Sequence, residues 1–202
     1  MKILNLYAGI GGNRKFWNDV KDDIEVTAVE FDKAIARAYK DRYPNDKVIV
    51  ADAKEYLLKH YRDFDFIWVS PPCQTHSRII NSKYKRESYR AKFPDMSLYE
   101  IILFLTGHTR DKLWVVENVK PYYKPLLEPT AEIDRHLYWS NFNITKIYVE
   151  KMYIQKYVTC ASLKDFDLKK YKDIKNKRQV IRNQVNYDIG KHILECAIGG
   201  SK

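Results

Sequence analysis

The chain has 202 residues, 45% of them hydrophobic, and a formal charge of +10. That size suits one globular domain with a real core, and no apolar run is long enough to cross a membrane. Its three cysteines are too few and too scattered for a disulfide framework or a zinc pattern. The charge points to a polyanionic partner. "MKILNLYAGIGG" lacks the regions of a signal peptide, so a reducing, intracellular setting is expected.

Taken in chain order, the first half alternates strand and helix patterns. "KILNLY" (2–7) reads as a strand, a Gly-rich turn follows, and "NRKFWNDV" (13–20) reads as a helix. "IEVTAVEF" (24–31) is a second strand and "DKAIARAYKDRY" (32–43) a helix stopped by Pro44. "KVIVAD" (47–52) and "AKEYLLKHY" (53–61) repeat the pair, and "FDFIWVS" (64–70) is the fourth strand. A buried helix over 97–108 and a strand over 112–119, "KLWVVENV", come next. Such alternation predicts an α/β fold, a mostly parallel sheet with helices on both faces. The chain closes on an amphipathic helix, "VNYDIGKHILECAI", with apolar Ile189, Ile193, Leu194 and Ile198.

Two segments break the rhythm. Between Arg78 and Lys92, six cations (Arg78, Lys83, Lys85, Arg86, Arg90, Lys92) stand against one acid, Glu87. Residues 146–178 hold ten lysines and arginines against four acids, with tyrosines and weak strand signals. The expected division is a core over 1–145, a small basic insertion over 146–178 and a C-terminal helix over 179–202 that completes the core.

Several strand ends carry chemistry. Gly9, Gly11 and Gly12 follow the first strand, where glycine permits a sharp bend and close ligand approach. Their spacing is not G-x-G-x-x-G, and an ordinary tight turn is the plainer reading. Glu30 ends the second strand, 19 residues after Gly11, and is placed for ribose hydroxyls; Phe31 offers a flat face for a purine. Asp52 ends the third strand and could accept from an exocyclic amine. One acid at a strand end is usually just a solvated cap; three successive strand ends carrying Gly, Glu and Asp favour a nucleoside site. The fourth strand runs into Pro71-Pro72-Cys73, which delivers the cysteine from a rigid strand end. Cys73 reads either as a small half-buried residue or as a nucleophile. Glu117 and Asn118 end the next strand, where a carboxyl group beside a thiolate can do nucleophilic and acid-base work.

Together these stretches resemble the cytosine carbon-5 methyltransferase family. "YAGIGG" is similar to its first motif, with Tyr7 where Phe is usual, and "EFD" to its ribose-binding motif. "SPPCQTHS" is similar to its Pro-Cys-Gln nucleophile motif, "ENV" to its catalytic glutamate motif, and "RNQVNYDIGKHIL" to its closing motif, with Asn183 at the Asn position. The motifs keep family order across almost the whole chain.

The resemblance implies a Rossmann-like class I methyltransferase fold and S-adenosylmethionine as cofactor, with no metal. It places Tyr7, Gly9, Gly11, Gly12, Glu30, Phe31, Asp52, Pro72 and Asn183 at the cofactor. It makes Cys73 the nucleophile toward carbon 6 of a flipped cytosine and Glu117, with Asn118, the partner of the base. Gln74, Ser77, Arg78, Lys83, Lys85 and Arg86 would meet nucleic acid, within or beside the family's mobile loop.

Two departures stand out. In the family's Arg-x-Arg motif the second Arg meets the base's carbonyl oxygen; here the stretch is "DRHLYWSNF", so His136 substitutes or Arg135, one out of register, swings in. The target-recognition region is also reduced to residues 146–178, rich in Lys, which suits phosphates better than base edges. The expected protein is a monomeric DNA cytosine-5 methyltransferase. It would act in a prokaryotic cytoplasm or virus-infected cell, in restriction-modification or as an orphan enzyme. An RNA methyltransferase and a catalytically silent homologue are the alternatives.

Overall fold

The computed structural model describes residues 1–78, 80, 88, 90–149 and 165–199. Five parallel strands form the body of one sheet: β1 (Lys2–Leu6), β2 (Glu25–Glu30), β3 (Lys47–Val50), β4 (Phe66–Val69) and β5 (Leu113–Val119). A hairpin of β6 (Ala131–Ile133) and β7 (His136–Ser140) adds to β5, with β7 antiparallel to it. The strand order is β3-β2-β1-β4-β5-β7-β6. Chain order therefore reverses between β1 and β4, which opens a crevice at their carboxyl ends where α/β sheets hold ligands.

Both faces of the sheet are covered. On one face α3 (Ala53–His60) and α4 (Ser97–His108) bring Leu57, Leu98, Ile101 and Leu105 onto Leu4, Leu6, Ile67, Val69 and Val116. On the other, α1 (Trp17–Val20) and α6 (Tyr187–Gly199) bring Trp17, Ile189, Ile193 and Leu194 onto Ile3, Phe66, Trp68 and Val115. This two-sided burial explains why β4 reads as an unbroken apolar run. The last helix thus packs on the central strands. Leu194 is fully buried, so Leu194→Ala should destabilise the fold by about 2–5 kcal/mol in urea unfolding. Loss of a merely peripheral helix would leave the main transition unchanged.

The first helix is shorter than its pattern. Residues 10–16 form turns, because side chains there are claimed by distant partners. Asn13 Nδ2 donates to Asn5 Oδ1 at 2.9 Å, and Arg14 Nε donates to Asp46 Oδ2 at 2.9 Å. The turn after β1 therefore meets no helix N-terminus, and whatever it binds is met by loop amides.

Of the basic segment, residues 165–178 pack against α2 (Lys33–Arg42) beside the Gly-rich turn. Leu168, Tyr171 and Ile174 are buried on Ile10 and Ala38. Asp165 accepts from Arg42 and Lys15, both at 2.8 Å, and Tyr171 donates to Asp41 at 2.7 Å. This places Lys169, Lys170 and Lys172 on the α2 side of the sheet, away from β4 and β5. Tyr153, Tyr157 and Cys160 lie outside the described residues.

Candidate active site

The turn after β1 is shaped by close packing on one side and open space on the other. Tyr7, Gly9 and Gly11 take left-handed φ values of 55°, 55° and 73°. At Gly11 an added Cβ would sit 2.4 Å from the Tyr43 ring, so only glycine lets the turn lie against α2. Gly12 is similarly pressed, 2.6 Å from the Val185 carbonyl oxygen. At Gly9 the same test meets nothing within 4 Å. The turn therefore forms an open cradle at Gly9, at the carboxyl end of β1.

Glu30 organises that cradle. Its Oε2 accepts from Gly9 N and its Oε1 from Asp32 N, each at 2.9 Å. Burial raises its pKa, and these amide bonds oppose the shift. Phe31 beside it is 76% exposed and offers a bare aromatic face. Asp52 caps α3 through Oδ1, which accepts from Glu55 N at 2.9 Å. Tyr7 is pushed up to about 12, first by burial and then by Asp52 and Asp95. Asn183, by contrast, is exposed at the end of α5 (Lys177–Arg182). Its neighbour Gln184 is the residue turned inward against Gly12, with both amide atoms buried and unpartnered. A buried amide without partners is costly unless something binds it. No local pattern marks Gln184, because its burial comes from a contact with the opposite end of the chain.

The residues present fit S-adenosylmethionine. An open glycine cradle, an acid bonded to it, an exposed aromatic face and a second acid are the groups that a nucleoside with polar hydroxyls and an amine would use.

The Pro-Pro-Cys turn sits one strand away. Beyond β4, Asn118 Nδ2 donates to the Pro71 carbonyl at 3.0 Å, and Asn118 Oδ1 accepts from Val119 N at 2.9 Å. Asn118 is buried, so it fixes the Pro-Pro turn to β5 and does not face the cleft. Pro72 is exposed and Cys73 half-buried as a free thiol. The Cys73 carbonyl accepts from His76 N at 3.1 Å and Ser77 N at 3.0 Å, closing a tight turn. Burial pushes the thiol up, and Glu117 pushes it further; the Cys73 amide and Arg135 pull it back.

Glu117 is buried on β5 with His136 Nε2 3.4 Å from its Oε1. Burial lowers the His136 pKa, against the pull of Glu117. The β5–β7 register explains the pairing: Val119 lies opposite His136 and Glu117 opposite Tyr138, so these side chains share a face. Arg135 donates from Nη2 to the Arg182 carbonyl at 3.0 Å, and its charge still reaches Cys73 and His136. Of the two candidates in "DRH", His136 is the one brought to Glu117. The Tyr138 hydroxyl, fully buried on the same face, has no hydrogen-bond partner.

Gln74 is exposed, Ser77 is half-buried and bridges to Pro121, and Arg78 donates from Nε to the Pro121 carbonyl at 3.2 Å. Lys83, Lys85 and Arg86 lie outside the described residues. His76 is the residue here that the sequence gives no reason to choose. It is buried, and its Nε2 lies 3.1 Å from the Asp95 carbonyl, which can only accept; Nε2 therefore carries the proton. Nδ1 then accepts from the Tyr123 hydroxyl at 2.5 Å. One histidine so ties the Cys73 turn to the segments around Asp95 and Tyr123.

This strand order, with an antiparallel seventh strand and a cofactor cradle at the β1 end, defines a Rossmann-like class I methyltransferase. The family model described as C-5 cytosine-specific DNA methylase matches residues 1–133, and the chain belongs to that family, whose cofactor is S-adenosylmethionine. A tRNA (cytosine(38)-C(5))-methyltransferase from Spodoptera frugiperda is 34% identical over 87 residues, 41% of this chain and 25% of that protein. Among solved structures, a DNMT2 mutant from Spodoptera frugiperda is 26% identical over 62% of this chain and 37% of its own, with TM-score 0.43. The methyltransferase EhMeth from Entamoeba histolytica is 17% identical over 59% of this chain and 38% of its own, with TM-score 0.38. The chain thus spans well under half the length of these relatives.

Proposed function

We propose that the chain is a cytosine-5 methyltransferase acting on DNA. The observation that carries the reading is the meeting of Cys73 and Glu117 at adjacent strand ends, beside the open Gly9 cradle. S-adenosylmethionine, when bound, supplies an electrophilic methyl group. The Gly9 turn, Glu30, Phe31 and Asp52 would hold it, with Gln184 closing the far side.

The residues of this chain do the rest. The Cys73 thiolate adds to carbon 6 of a cytosine swung out of its stack, forming a C–S bond. The ring's double-bond electrons move toward carbon 5, and Glu117 holds a proton at ring nitrogen 3 so that the ring can accept them. Carbon 5 then takes the methyl group and gives its proton to a base. Elimination re-forms the double bond, expels Cys73 as thiolate and returns the proton to Glu117. His136, its pKa lowered by burial, stands 3.4 Å from the Glu117 carboxyl group and can donate to the base's carbonyl oxygen. Asn118 holds the proline turn at the height this attack needs.

A second reading, methylation of tRNA, is favoured by the Spodoptera frugiperda relative named for that substrate. The two are separated by offering duplex DNA, single-stranded DNA and tRNA with methyl-labelled S-adenosylmethionine and digesting each to nucleosides. Labelled 5-methyldeoxycytidine supports the DNA reading. Label in tRNA alone supports the second. Absence of label from all three leaves a nucleic-acid-binding homologue without catalysis.

Glu30→Ala tests the cofactor assignment. It removes the acceptor that fixes the Gly9 amide and faces the cradle. Loss of a charged hydrogen bond costs about 1.5–3 kcal/mol, so S-adenosylmethionine affinity should fall at least roughly tenfold in calorimetry. Unchanged affinity would move the cofactor elsewhere.

A further inference from the structure

Four large apolar side chains beside the nucleophile turn face solvent. Phe93 is 95% exposed, Leu126 61%, Met96 45% and Tyr122 41%. They come from two segments far apart in sequence, yet the hydrogen bonds around His76 bring those segments together. His76 Nε2 donates to Asp95 O, and the Tyr122 amide donates to His76 O at 3.0 Å. Asp95 N donates to Thr75 Oγ1 at 2.9 Å, and Leu126 N to the Tyr99 hydroxyl at 3.2 Å, while Tyr99 N bonds the Met96 carbonyl. The same His76 donates its amide to Cys73 O. The segments that carry the four side chains are therefore tied to the turn that carries Cys73.

A monomeric protein seldom leaves such a cluster bare without using it. Its surroundings choose the partner. Arg78, Lys92 and Lys124 are exposed around it, against the exposed acids Asp95 and Glu128. An apolar, partly aromatic floor with a cationic rim suits a ligand that has flat faces and phosphates. Duplex nucleic acid hides its base faces in the stack; an unpaired strand presents them.

We propose that Phe93, Met96, Tyr122 and Leu126 form a stacking surface for unpaired bases next to the target cytosine. This deepens the reading of the chain as a nucleic-acid methyltransferase and rests on it. The substrate engaged is then a strand whose bases are already unpaired around the target, in a loop or a single-stranded stretch. Phosphates meet the rim cations, and the flanking bases lie on Phe93 and Tyr122 while the cytosine turns to Cys73.

The test is fluorescence anisotropy of a labelled cytosine-containing single strand, and of the same strand annealed to its complement, against the full chain. Phe93→Ala and Tyr122→Ala remove outward side chains and keep every backbone bond that joins the segments, so both variants should melt with wild type. Each should lower affinity for the single strand about tenfold. Duplex affinity and the slope of affinity against salt should stay as in wild type, because no phosphate contact is lost. The proposal is overturned if both variants bind the single strand like wild type, or if duplex and single strand weaken together. It is equally overturned if the variants only lower the molecular mass in sedimentation, which would make the patch a contact between copies. Methyl transfer by wild type in those cases leaves the enzymatic reading standing. A wild-type chain that neither binds nucleic acid nor transfers methyl sinks both.

Discussion

Cys73→Ser is expected to reduce methyl transfer by roughly 10³-fold or more while leaving S-adenosylmethionine affinity unchanged. The hydroxyl is a far weaker nucleophile than the thiolate at neutral pH. The substitution removes no volume of note and no hydrogen bond that builds the turn, since His76 N and Ser77 N both bond the Cys73 carbonyl. The cofactor cradle stands at the end of β1, held by Glu30, and does not use the thiol. The pair of measurements is turnover in a saturating assay and cofactor titration by calorimetry. Near-normal turnover would remove Cys73 from the chemistry; lost cofactor affinity would mean that the turn, not the nucleophile, had been damaged.

Glu117→Gln should cut turnover by about 10²–10⁴-fold, because the amide cannot cycle a proton to ring nitrogen 3. The same substitution has an opposite effect on the free thiol. Glu117 is a negative neighbour that raises the Cys73 pKa, after burial the largest cause of the shift. Removing that charge lowers the pKa, so a larger fraction of Cys73 is thiolate at any pH below it. Iodoacetamide should therefore label Cys73 faster in the variant than in wild type near neutrality, with the two rates converging as the pH rises and both thiols ionise. Peptide mapping keeps Cys73 apart from Cys160 and Cys196. An enzyme that loses turnover and gains thiol reactivity has the two groups in one cleft. Labelling that slows in the variant would contradict the arrangement.

The parts of this site that a reader of the sequence finds are those that end an apolar run. β1, β2, β3 and β4 each stop at or shortly before a residue with chemistry and β5 carries Glu117 near its end, so Gly9, Glu30, Asp52, Cys73 and Glu117 stand out as candidates. The hairpin of β6 and β7 does not. β6 has three residues, one of them the exposed Glu132, and its turn depends on Asp134 at φ 52°. The choice between Arg135 and His136 follows from the β7 register against β5, which no local pattern encodes. Asn118 reads as a cleft residue because it neighbours Glu117. Strand alternation instead sends it to the opposite face, where it holds Pro71. His76 and Gln184 gain their meaning from partners 19 residues or more away, Asp95 and Tyr123 for one and Gly12 for the other. The span read as a basic insertion hides a docking segment, since Leu168, Tyr171 and Ile174 are too sparse among lysines to show a period.

The covalent step through Cys73 is the centre of the account, and one measurement reaches it directly. A strand carrying 5-fluorocytosine at the methylated position blocks the last step, because fluorine cannot be taken from carbon 5 as a proton. Incubated with the full chain and S-adenosylmethionine, it should give a protein–nucleic-acid conjugate that survives denaturation. The peptide bearing the modified base should be the one containing Cys73, and Cys73→Ser should yield no conjugate. Methylation of ordinary cytosine at carbon 5 by the Cys73→Ser variant, or transfer to the exocyclic amine with no conjugate formed, would contradict it.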